Sequence, residues 1–158
     1  MTDPAAVVAL LRERGETVAT AESLTAGLVT AALTSVPGSS AVVRGGLVVY
    51  ATDLKHALAD VDEALLAEHG AVHPEVARQL AEGARTRCGA TWGLGLTGVA
   101  GPDPQDGVPP GTVHVAVSNA AGTSVETMTL GGDRHAVRSQ SVDGVLALLV
   151  TWLTSTSG

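Results

Sequence analysis

The pattern of apolar and polar positions predicts a chain in which helices and strands alternate. Apolar residues at helical spacing predict helices at residues 4–14, 74–88 and 133–154, with two short helical pieces near 53–58 and 62–69. Another helix is expected to open at Ser23 or Thr25 and to end near residue 35. Short β-prone runs predict five strands, at residues 16–21, 46–52, 91–96, 112–119 and 124–130.

Two stretches indicate how these strands are arranged. The run LVVY within residues 46–52 is almost continuously apolar, so this strand is expected to be buried on both faces. The last two strands are separated only by AAGT (120–123), which indicates a hairpin. We therefore expect an α/β fold, with a mixed sheet of about five strands and helices on both faces. Neither a repeat nor a linker interrupts residues 1–158, which are expected to form a single domain.

The composition narrows the class of partner. Acidic residues outnumber lysines and arginines by 16 to 9, and the net charge of -7 argues against general affinity for nucleic acids or anionic membranes. The N-terminus lacks the basic segment of a signal peptide, and no stretch approaches the roughly 20 apolar residues of a membrane span. Cys88 is the only cysteine, so no internal disulfide is possible. These features favour a cytoplasmic protein with neither a nucleic-acid nor a membrane partner.

Lysine and tyrosine each occur once, at Lys55 and Tyr50, whereas all other cationic side chains apart from histidine are arginines. Only lysine has an amine whose pKa a protein can lower enough to make it a base, because arginine stays protonated. Tyr50 is expected to end a strand, with its hydroxyl at a sheet edge that Lys55 also reaches, so that it can relay a proton. The alternative is a solvated lysine beside a tyrosine at the rim of the sheet.

The segment AESLTAG (21–27) lies at a predicted junction between a strand and a helix. Its serine, threonine and glutamate are either ordinary capping residues or part of a reactive site. In the second interpretation Ser23 is a nucleophile at a helix N-terminus, where unpaired N–H groups stabilise an anion, and Ala26 and Gly27 leave room for a substrate. Serine with lysine is a known alternative to the Ser-His-Asp triad.

A glycine-rich segment follows the third predicted strand. GLGLTG (93–98) formally matches G-x-G-x-x-G, but it runs into a loop with four prolines and four glycines (98–111) rather than a helix, which excludes a dinucleotide fingerprint. A loop of this length is often functional. Its backbone N–H groups could hold an oxyanion or a phosphate, or it could simply form a tight turn.

Two arginines, Arg134 and Arg138, lie four residues apart in the first turns of the last predicted helix and so share one face. They either pair with acidic side chains or grip a phosphate. The five histidines are scattered without the spacing of metal ligands, so no metal site is expected.

Six segments, taken together and in this order, resemble the CinA C-terminal domain family, the nicotinamide mononucleotide amidohydrolases. They are TAESLTAG (20–27), PGSSAVVRGGLVVYATDLK (37–55), HGAVHPEV (69–76), GLTGVAGP (95–102), PPGTVHVAV (109–117) and GGDRHAVR (131–138). The resemblance covers nearly the whole chain. It implies a three-layer α/β/α fold and deamidation of nicotinamide mononucleotide to nicotinate mononucleotide and ammonia, without a cofactor.

The same resemblance implies roles for individual residues. It makes Ser23 the nucleophile, Lys55 its base and Tyr50 a helper. A homo-oligomer is also expected, because small enzymes of this kind often self-associate. The substrate would be bound by residues of the helix start, the glycine-rich loop and the last helix, namely Thr25, Ala26, Gly27, Thr97, Gly98, Ala100, Gly101, Arg134 and Arg138.

The sequence departs from the family pattern at three places. Ala26 stands within a segment that usually reads T-G-G, Ala51 and Thr52 stand where Ser-Asn is usual, and Val108 stands where the loop commonly has a lysine. Two other functions therefore stay open at this point. One is a non-catalytic domain that senses a pyridine nucleotide, and the other is an interaction module in a DNA-uptake or damage pathway.

Overall fold

The computed structural model of the protein describes residues 1–155, and residues 156–158 lie outside the described part. Five strands form one mixed sheet, in which the first three run parallel and the last two antiparallel to their neighbours. The strands are β1 (Val18–Glu22), β2 (Val43–Val48), β3 (Trp92–Gly98), β4 (Thr112–Asn119) and β5 (Gly122–Thr129), and their order across the sheet is β2-β1-β3-β4-β5.

Helices cover both faces of this sheet. They are α1 (Pro4–Arg14), α2 (Leu28–Thr34), α3 (Thr52–Ala59), α4 (Glu63–His69), α5 (Pro74–Arg87) and α6 (Arg134–Ser155). α1, α2 and α6 share one apolar core with the sheet, and α3, α4 and α5 share the other. The expected three-layer α/β/α sandwich with a mixed five-stranded sheet is confirmed. Among residues 1–155, no helix combines the length and the apolar character that a membrane crossing requires.

The glycines of β3 let a helix pack directly against the sheet. A Cβ atom on Gly93 would overlap with the carbonyl oxygen of Ala81, and one on Gly95 would lie 2.5 Å from the carbonyl oxygen of Ala77. Both alanines belong to α5. The glycine run at 93–98 therefore serves close packing of helix and strand, which agrees with the rejection of a dinucleotide motif.

The second strand differs from the prediction in both position and burial. β2 ends at Val48, so Tyr50 follows the strand instead of ending it. The strand lies at one edge of the sheet, and its side chains alternate between half-buried and exposed. The expectation that it would be buried on both faces was wrong, because an edge strand has a neighbour on one side alone and its outer residues, such as Val48, remain open to solvent.

The second helix also begins later than the sequence predicts. Ser23 and Thr25 lie in a turn that precedes α2, whose first residue is Leu28. Ala26 and Gly27 have φ values of 47° and 102°, in the left-handed region that interrupts a right-handed helix. Ser23 is consequently the first residue after β1 and does not lie at a helix N-terminus.

Helix α3, which contains Lys55, starts without a side-chain cap because its N-cap residue is Ala51. We expect Ala51→Ser to raise the free energy of unfolding by about 1 kcal/mol, since a serine hydroxyl can accept a hydrogen bond from an unpaired N–H of the first turn. For a chain of this length the gain corresponds to a rise in Tm of about 2–4 °C. Thermal unfolding followed by circular dichroism measures it, with Ala121→Ser in the exposed β4–β5 turn as the matched control. An unchanged Tm for Ala51→Ser alone would contradict this account.

Candidate active site

Two chain segments meet at the C-terminal ends of the neighbouring strands β1 and β2. The N–H of Ser23 donates to the carbonyl of Leu96 at 3.1 Å, and the N–H of Val49 donates to the carbonyl of Glu22 at 2.9 Å. The first bond extends the pairing of β1 with β3, and the second extends the pairing of β1 with β2, each by one residue. Ser23 and Val49 are thereby fixed next to each other by main-chain bonds.

Lys55 reaches into this junction from the first turns of α3. Its side chain is 0 % exposed, and its Nζ lies 2.8 Å from the Oγ of Ser23. The same nitrogen lies 2.7 Å from the carbonyl oxygen of Val49 and 3.2 Å from that of Tyr50. The lysine is therefore desolvated and within hydrogen-bond distance of the Ser23 hydroxyl, as the sequence predicts.

The three contacts of Lys55 determine where its lone pair lies when the amine is neutral. A carbonyl oxygen can only accept, so the amine must donate to Val49 and to Tyr50. A neutral amine has two hydrogens, and both are used by these donations. Its lone pair then faces Ser23, whose hydroxyl is left to donate its proton to Nζ. In the ammonium form a third hydrogen takes that place, and Ser23 can only accept.

Burial favours the neutral form. It lowers the pKa of Lys55 from 10.5 to about 8, because desolvation penalises the charged ammonium. No carboxylate among the described residues forms an ion pair with this amine. About a tenth of the molecules at pH 7, and about half at pH 8, therefore hold a neutral base against the Ser23 hydroxyl.

A cavity of about 410 Å³ opens beside Ser23. Its volume falls within the range of about 300–1,000 Å³ that is typical of small-molecule sites. The long loop after β3 forms much of its wall. The residues predicted for the site that line the cavity are Ser23, Tyr50, Thr97, Gly98, Ala100, Gly101 and Arg134.

Arg134, the first residue of α6, connects two walls of the cavity. Its Nη1 donates to the carbonyl of Gly101 at 2.8 Å, and its Nη2 donates to the hydroxyl of Tyr50 at 3.1 Å. Both acceptors are neutral, and no described carboxylate pairs with this guanidinium. The cavity therefore has a positive charge that is not compensated by an ion pair.

Tyr50 was expected to contact Lys55 through its hydroxyl, but it does so through its main-chain carbonyl. Its side chain is 59 % exposed, and its hydroxyl bonds to Arg134. Only its main-chain carbonyl contacts Lys55. Among the described residues the geometry thus connects the phenol to the cation at the cavity wall, while no hydrogen bond joins it to the amine.

The remaining predicted residues lie outside the cavity lining. Thr25 is fully buried, and its hydroxyl has no hydrogen-bond partner within residues 1–155. Ala26 and Gly27 form the left-handed turn before α2. The Nε of Arg138 donates to the carbonyl of Leu24 at 2.9 Å. The two arginines therefore have different partners, and Arg138 contacts the residue after Ser23.

The N–H groups at the start of α2 are not available to a substrate. The carboxylate of Glu22 accepts from the N–H of Val29 at 2.9 Å and from that of Thr30 at 3.1 Å. The expectation that Ser23 would lie at a helix N-terminus whose N–H groups hold an anion was wrong, because α2 begins at Leu28 and its first turn binds the protein's own carboxylate. The N–H groups of Leu24, Ala100 and Gly101, which line the cavity, make no hydrogen bond within the described part of the chain.

Sequence reasoning missed several groups at this site. The carbonyls of Val49 and Tyr50 hold the amine, but main-chain groups leave no signal in a sequence. Asp103 and Gln105 also line the cavity. The only available signal for them was their place among the few polar side chains of the glycine- and proline-rich loop. Within residues 1–155 no group of three or more histidine, cysteine, aspartate or glutamate side chains could hold a metal ion.

Comparison with known proteins places the chain in a family. The model of the CinA C-terminal domain matches residues 2–153. A CinA-like protein of Frankia casuarinae is 48% identical over 143 residues, which are 90% of this chain and 33% of that protein. A CinA-like protein of Geobacter sulfurreducens is 48% identical over 149 residues, 94% of this chain and 35% of that protein. The chain thus spans about a third of the length of these curated relatives.

Solved structures show the same fold. The competence/damage inducible protein CihA from Agrobacterium tumefaciens is 34% identical, with a TM-score of 0.90 over 98% of this chain and 97% of that chain. The competence damage-inducible protein A (ComA) from Klebsiella pneumoniae is 29% identical, with a TM-score of 0.92 over 99% and 100% of the two chains. Together with the match over residues 2–153, these similarities establish that the chain belongs to the CinA C-terminal domain family.

Proposed function

We propose that the protein is an amidohydrolase that converts nicotinamide mononucleotide and water to nicotinate mononucleotide and ammonia. Ser23 is the nucleophile and Lys55 is the general base. The observation that carries this proposal is the 2.8 Å contact between the Ser23 hydroxyl and a fully buried amine. The substrate is taken from the resemblance of the six motifs, and the charges of the cavity are compatible with it.

Acylation begins with proton transfer. Neutral Lys55 takes the proton of the Ser23 hydroxyl, and the freed oxygen attacks the carboxamide carbon of the substrate. The carbonyls of Val49 and Tyr50 keep the new ammonium in place, since each accepts one of its hydrogens. The oxyanion on the carboxamide is bound by unpaired N–H groups of the cavity wall, for which Leu24 and Gly101 are candidates.

Acylation ends when Lys55 returns its proton to the departing nitrogen, which leaves as ammonia, and a nicotinoyl ester remains on Ser23. In deacylation, neutral Lys55 removes a proton from water while the water oxygen attacks the ester carbon. The ester bond breaks, the carboxylate product leaves, and Ser23 recovers its hydrogen. The positive pyridinium ring of the substrate would repel the ammonium and so favour the neutral amine further, in addition to burial.

The charges at the cavity match a zwitterionic substrate. Arg134 supplies the uncompensated cation described above, which can bind the phosphate of the mononucleotide. Asp103 lines the same cavity and supplies an anion that can face the pyridinium or the ribose hydroxyls. A neutral amide without a phosphate would use neither charge. Arg138 is less suited to the phosphate because it does not line the cavity.

We expect kcat/KM for the mononucleotide to rise with pH through about 8 and then to level off. The pKa of Lys55 is lowered to about 8 by burial, and only the deprotonated amine can accept the Ser23 proton. Activity is therefore lost as the pH falls below this value. Initial rates of ammonia release between pH 6 and 9.5 at constant ionic strength measure the profile. A rate that is flat from pH 6 to 9 would contradict the role of Lys55 as a base.

The test of the function is an ammonia-release assay with nicotinamide mononucleotide and nicotinamide riboside side by side. We expect turnover of the mononucleotide and a much higher KM for the riboside, which lacks the phosphate that Arg134 would bind. Equal kcat/KM values would remove Arg134 as the phosphate site. Ligand-induced stabilisation of the protein without any ammonia release would favour the non-catalytic sensing domain instead.

A further inference from the structure

Glu22 is a buried carboxylate that takes no part in the proton transfer just described. It immediately precedes Ser23, and it is 1 % exposed. No described lysine, arginine or histidine forms an ion pair with it. A buried carboxylate is costly unless several donors satisfy it. The groups that surround Glu22 must therefore supply hydrogen-bond donors to its carboxylate.

The donors come from the start of α2. The N–H of Val29 binds Oε1 at 2.9 Å, and the N–H and the hydroxyl of Thr30 bind Oε2 at 3.1 and 2.8 Å. The Oγ atoms of Thr20 and Thr30 are 2.7 Å apart, so Thr20 can donate to Thr30 while Thr30 donates to Glu22. We call these three side chains, Thr20, Glu22 and Thr30, the carboxylate clamp.

The neighbouring strand leaves space for the clamp. Gly46 of β2 lies next to it, and a Cβ atom at this position would come within 2.5 Å of the Oγ of Thr20 and 2.6 Å of the Oγ of Thr30. The φ of Gly46 is not in the left-handed region, so backbone conformation does not require a glycine here. A glycine is required because the two threonine hydroxyls occupy the space that a Cβ atom would need.

The clamp closes the turn that contains the nucleophile. Residues 23–27 run from Glu22 to the start of α2, and the side chain of Glu22 returns to bind that start. Inside the turn the main-chain bonds are those from Ala26 to Ser23, at 3.1 Å, and from Leu28 to Thr25, at 2.9 Å. Without the carboxylate, a turn with two left-handed residues would be tied to α2 by few contacts.

The main chain of Glu22 reaches the other half of the catalytic pair. Its carbonyl accepts from the N–H of Val49 at 2.9 Å, and the carbonyl of Val49 accepts from Lys55 at 2.7 Å. Glu22 is thus joined to the nucleophile by a peptide bond, and to the base through a single intervening residue, Val49.

We infer that Glu22 is a positioning residue that sets the distance between the Ser23 hydroxyl and the Lys55 amine by holding the turn 23–27 against α2. This inference rests on the proposed function, since it concerns the same serine and lysine. It differs from a simple capping role, which would affect the stability of α2 and leave the reactivity of each folded molecule unchanged.

The variants for the test are Glu22→Gln, Thr30→Val and Thr30→Ser. In Glu22→Gln an NH2 group replaces one carboxylate oxygen, so in the same orientation either Val29 or Thr30 loses its acceptor and faces a second donor. Thr30→Val removes the hydroxyl donor and keeps the N–H. Thr30→Ser keeps both and is the conservative control. If Glu22→Gln fails to fold, Thr30→Val still tests the clamp, because its change is confined to the contacts of one hydroxyl group.

Two measurements distinguish a displaced Ser23 hydroxyl from a less stable fold. The first is kcat and KM for the mononucleotide, normalised to the folded fraction from circular dichroism. The second is the rate at which a small alkyl fluorophosphonate labels Ser23, followed by intact mass and peptide mapping. In that reaction the Ser23 oxygen bonds to phosphorus, fluoride leaves, and Lys55 takes the proton, so the rate reports the serine–lysine contact independently of the substrate.

For Glu22→Gln we expect kcat and the labelling rate per folded molecule to fall together by about 100-fold, the loss typical of an ångström-scale misplacement, with KM changed little. Thr30→Val should show a smaller loss in both, and Thr30→Ser should restore parent values. Parent rates in folded Glu22→Gln or Thr30→Val would overturn the positioning role while leaving the proposed function intact. A parent protein that neither releases ammonia nor is labelled at Ser23 would overturn both.

Discussion

Ser23→Ala is expected to reduce ammonia release from nicotinamide mononucleotide by about 10,000-fold or more, because the acyl intermediate cannot form without the hydroxyl oxygen. The substitution removes one oxygen atom at a position that is 7 % exposed. It leaves the main-chain bond from residue 23 to Leu96 in place. We therefore expect the fold to be retained and the loss to lie in kcat. Ammonia release under saturating substrate, with far-UV circular dichroism of the same sample, measures both.

The chain offers a matched control for this variant. Ser39 is also 7 % exposed, and its Oγ makes only a long contact, 3.4 Å, to the carbonyl of Thr34. It does not line the cavity. Ser39→Ala should therefore keep parent activity. If Ser23→Ala and Ser39→Ala turn over the substrate equally well, Ser23 is not the nucleophile.

The same variant distinguishes the alternative functions. A non-catalytic sensing domain predicts that Ser23→Ala changes ligand affinity modestly and that the parent protein releases no ammonia. An interaction module predicts no effect of the mononucleotide on either protein. The names of several solved relatives refer to competence or damage, but those names describe the other proteins. A buried amine with a pKa lowered to about 8, held 2.8 Å from a serine hydroxyl, has an evident use in catalysis and none in either alternative.

Most of the fold could be predicted because its elements follow strong local patterns. The strand Thr112–Asn119 and the helix Pro4–Arg14 were predicted at their observed bounds, since turn residues and a proline mark their ends clearly. The edge position of β2 could not be predicted in the same way. Edge and central strands can have the same apolar run, and only the order of strands in the sheet distinguishes them.

The pairing of Ser23 with Lys55 was predicted from the resemblance of the six motifs. The residues alone made the single lysine a candidate base and left Ser23 open between a capping residue and a nucleophile. The start of α2 could not be predicted, because Ala26 adopts a left-handed conformation that its residue type disfavours. That conformation moves the helix start to Leu28 and makes Glu22, not a substrate, the anion bound there.

Lys55→Arg is expected to lower kcat by about 100- to 10,000-fold, nearly as far as Lys55→Ala, although arginine keeps the positive charge. The guanidinium cannot be deprotonated in a protein, so it cannot accept the Ser23 proton. A role of Lys55 in binding or charge would predict the opposite, with Lys55→Arg retaining much of the activity. Initial rates for the parent and both variants between pH 6 and 9.5, each normalised to the folded fraction, distinguish these cases.

The structure indicates that the lysine is not kept for stability. Lowering its pKa from 10.5 to about 8 destabilises the folded state by roughly 3 kcal/mol at pH values below 8, because the folded state disfavours the proton that the unfolded state binds. The free energy of unfolding should therefore increase as the pH rises from 8 towards 10.5. A group that costs stability at neutral pH and lies against a serine is expected to be retained for its chemistry.

Chemical rescue distinguishes the loss of the basic amine from a disruption of the packing around Ser23. Lys55→Ala leaves a space beside Ser23 that a small primary amine can fill, whereas Lys55→Arg leaves none. We expect ethylamine to restore part of the kcat of Lys55→Ala, with a rate that rises with the fraction of neutral amine, and to have no effect on Lys55→Arg. An active Lys55→Arg enzyme, or rescue that follows the ammonium rather than the free amine, would show that Lys55 is not the base.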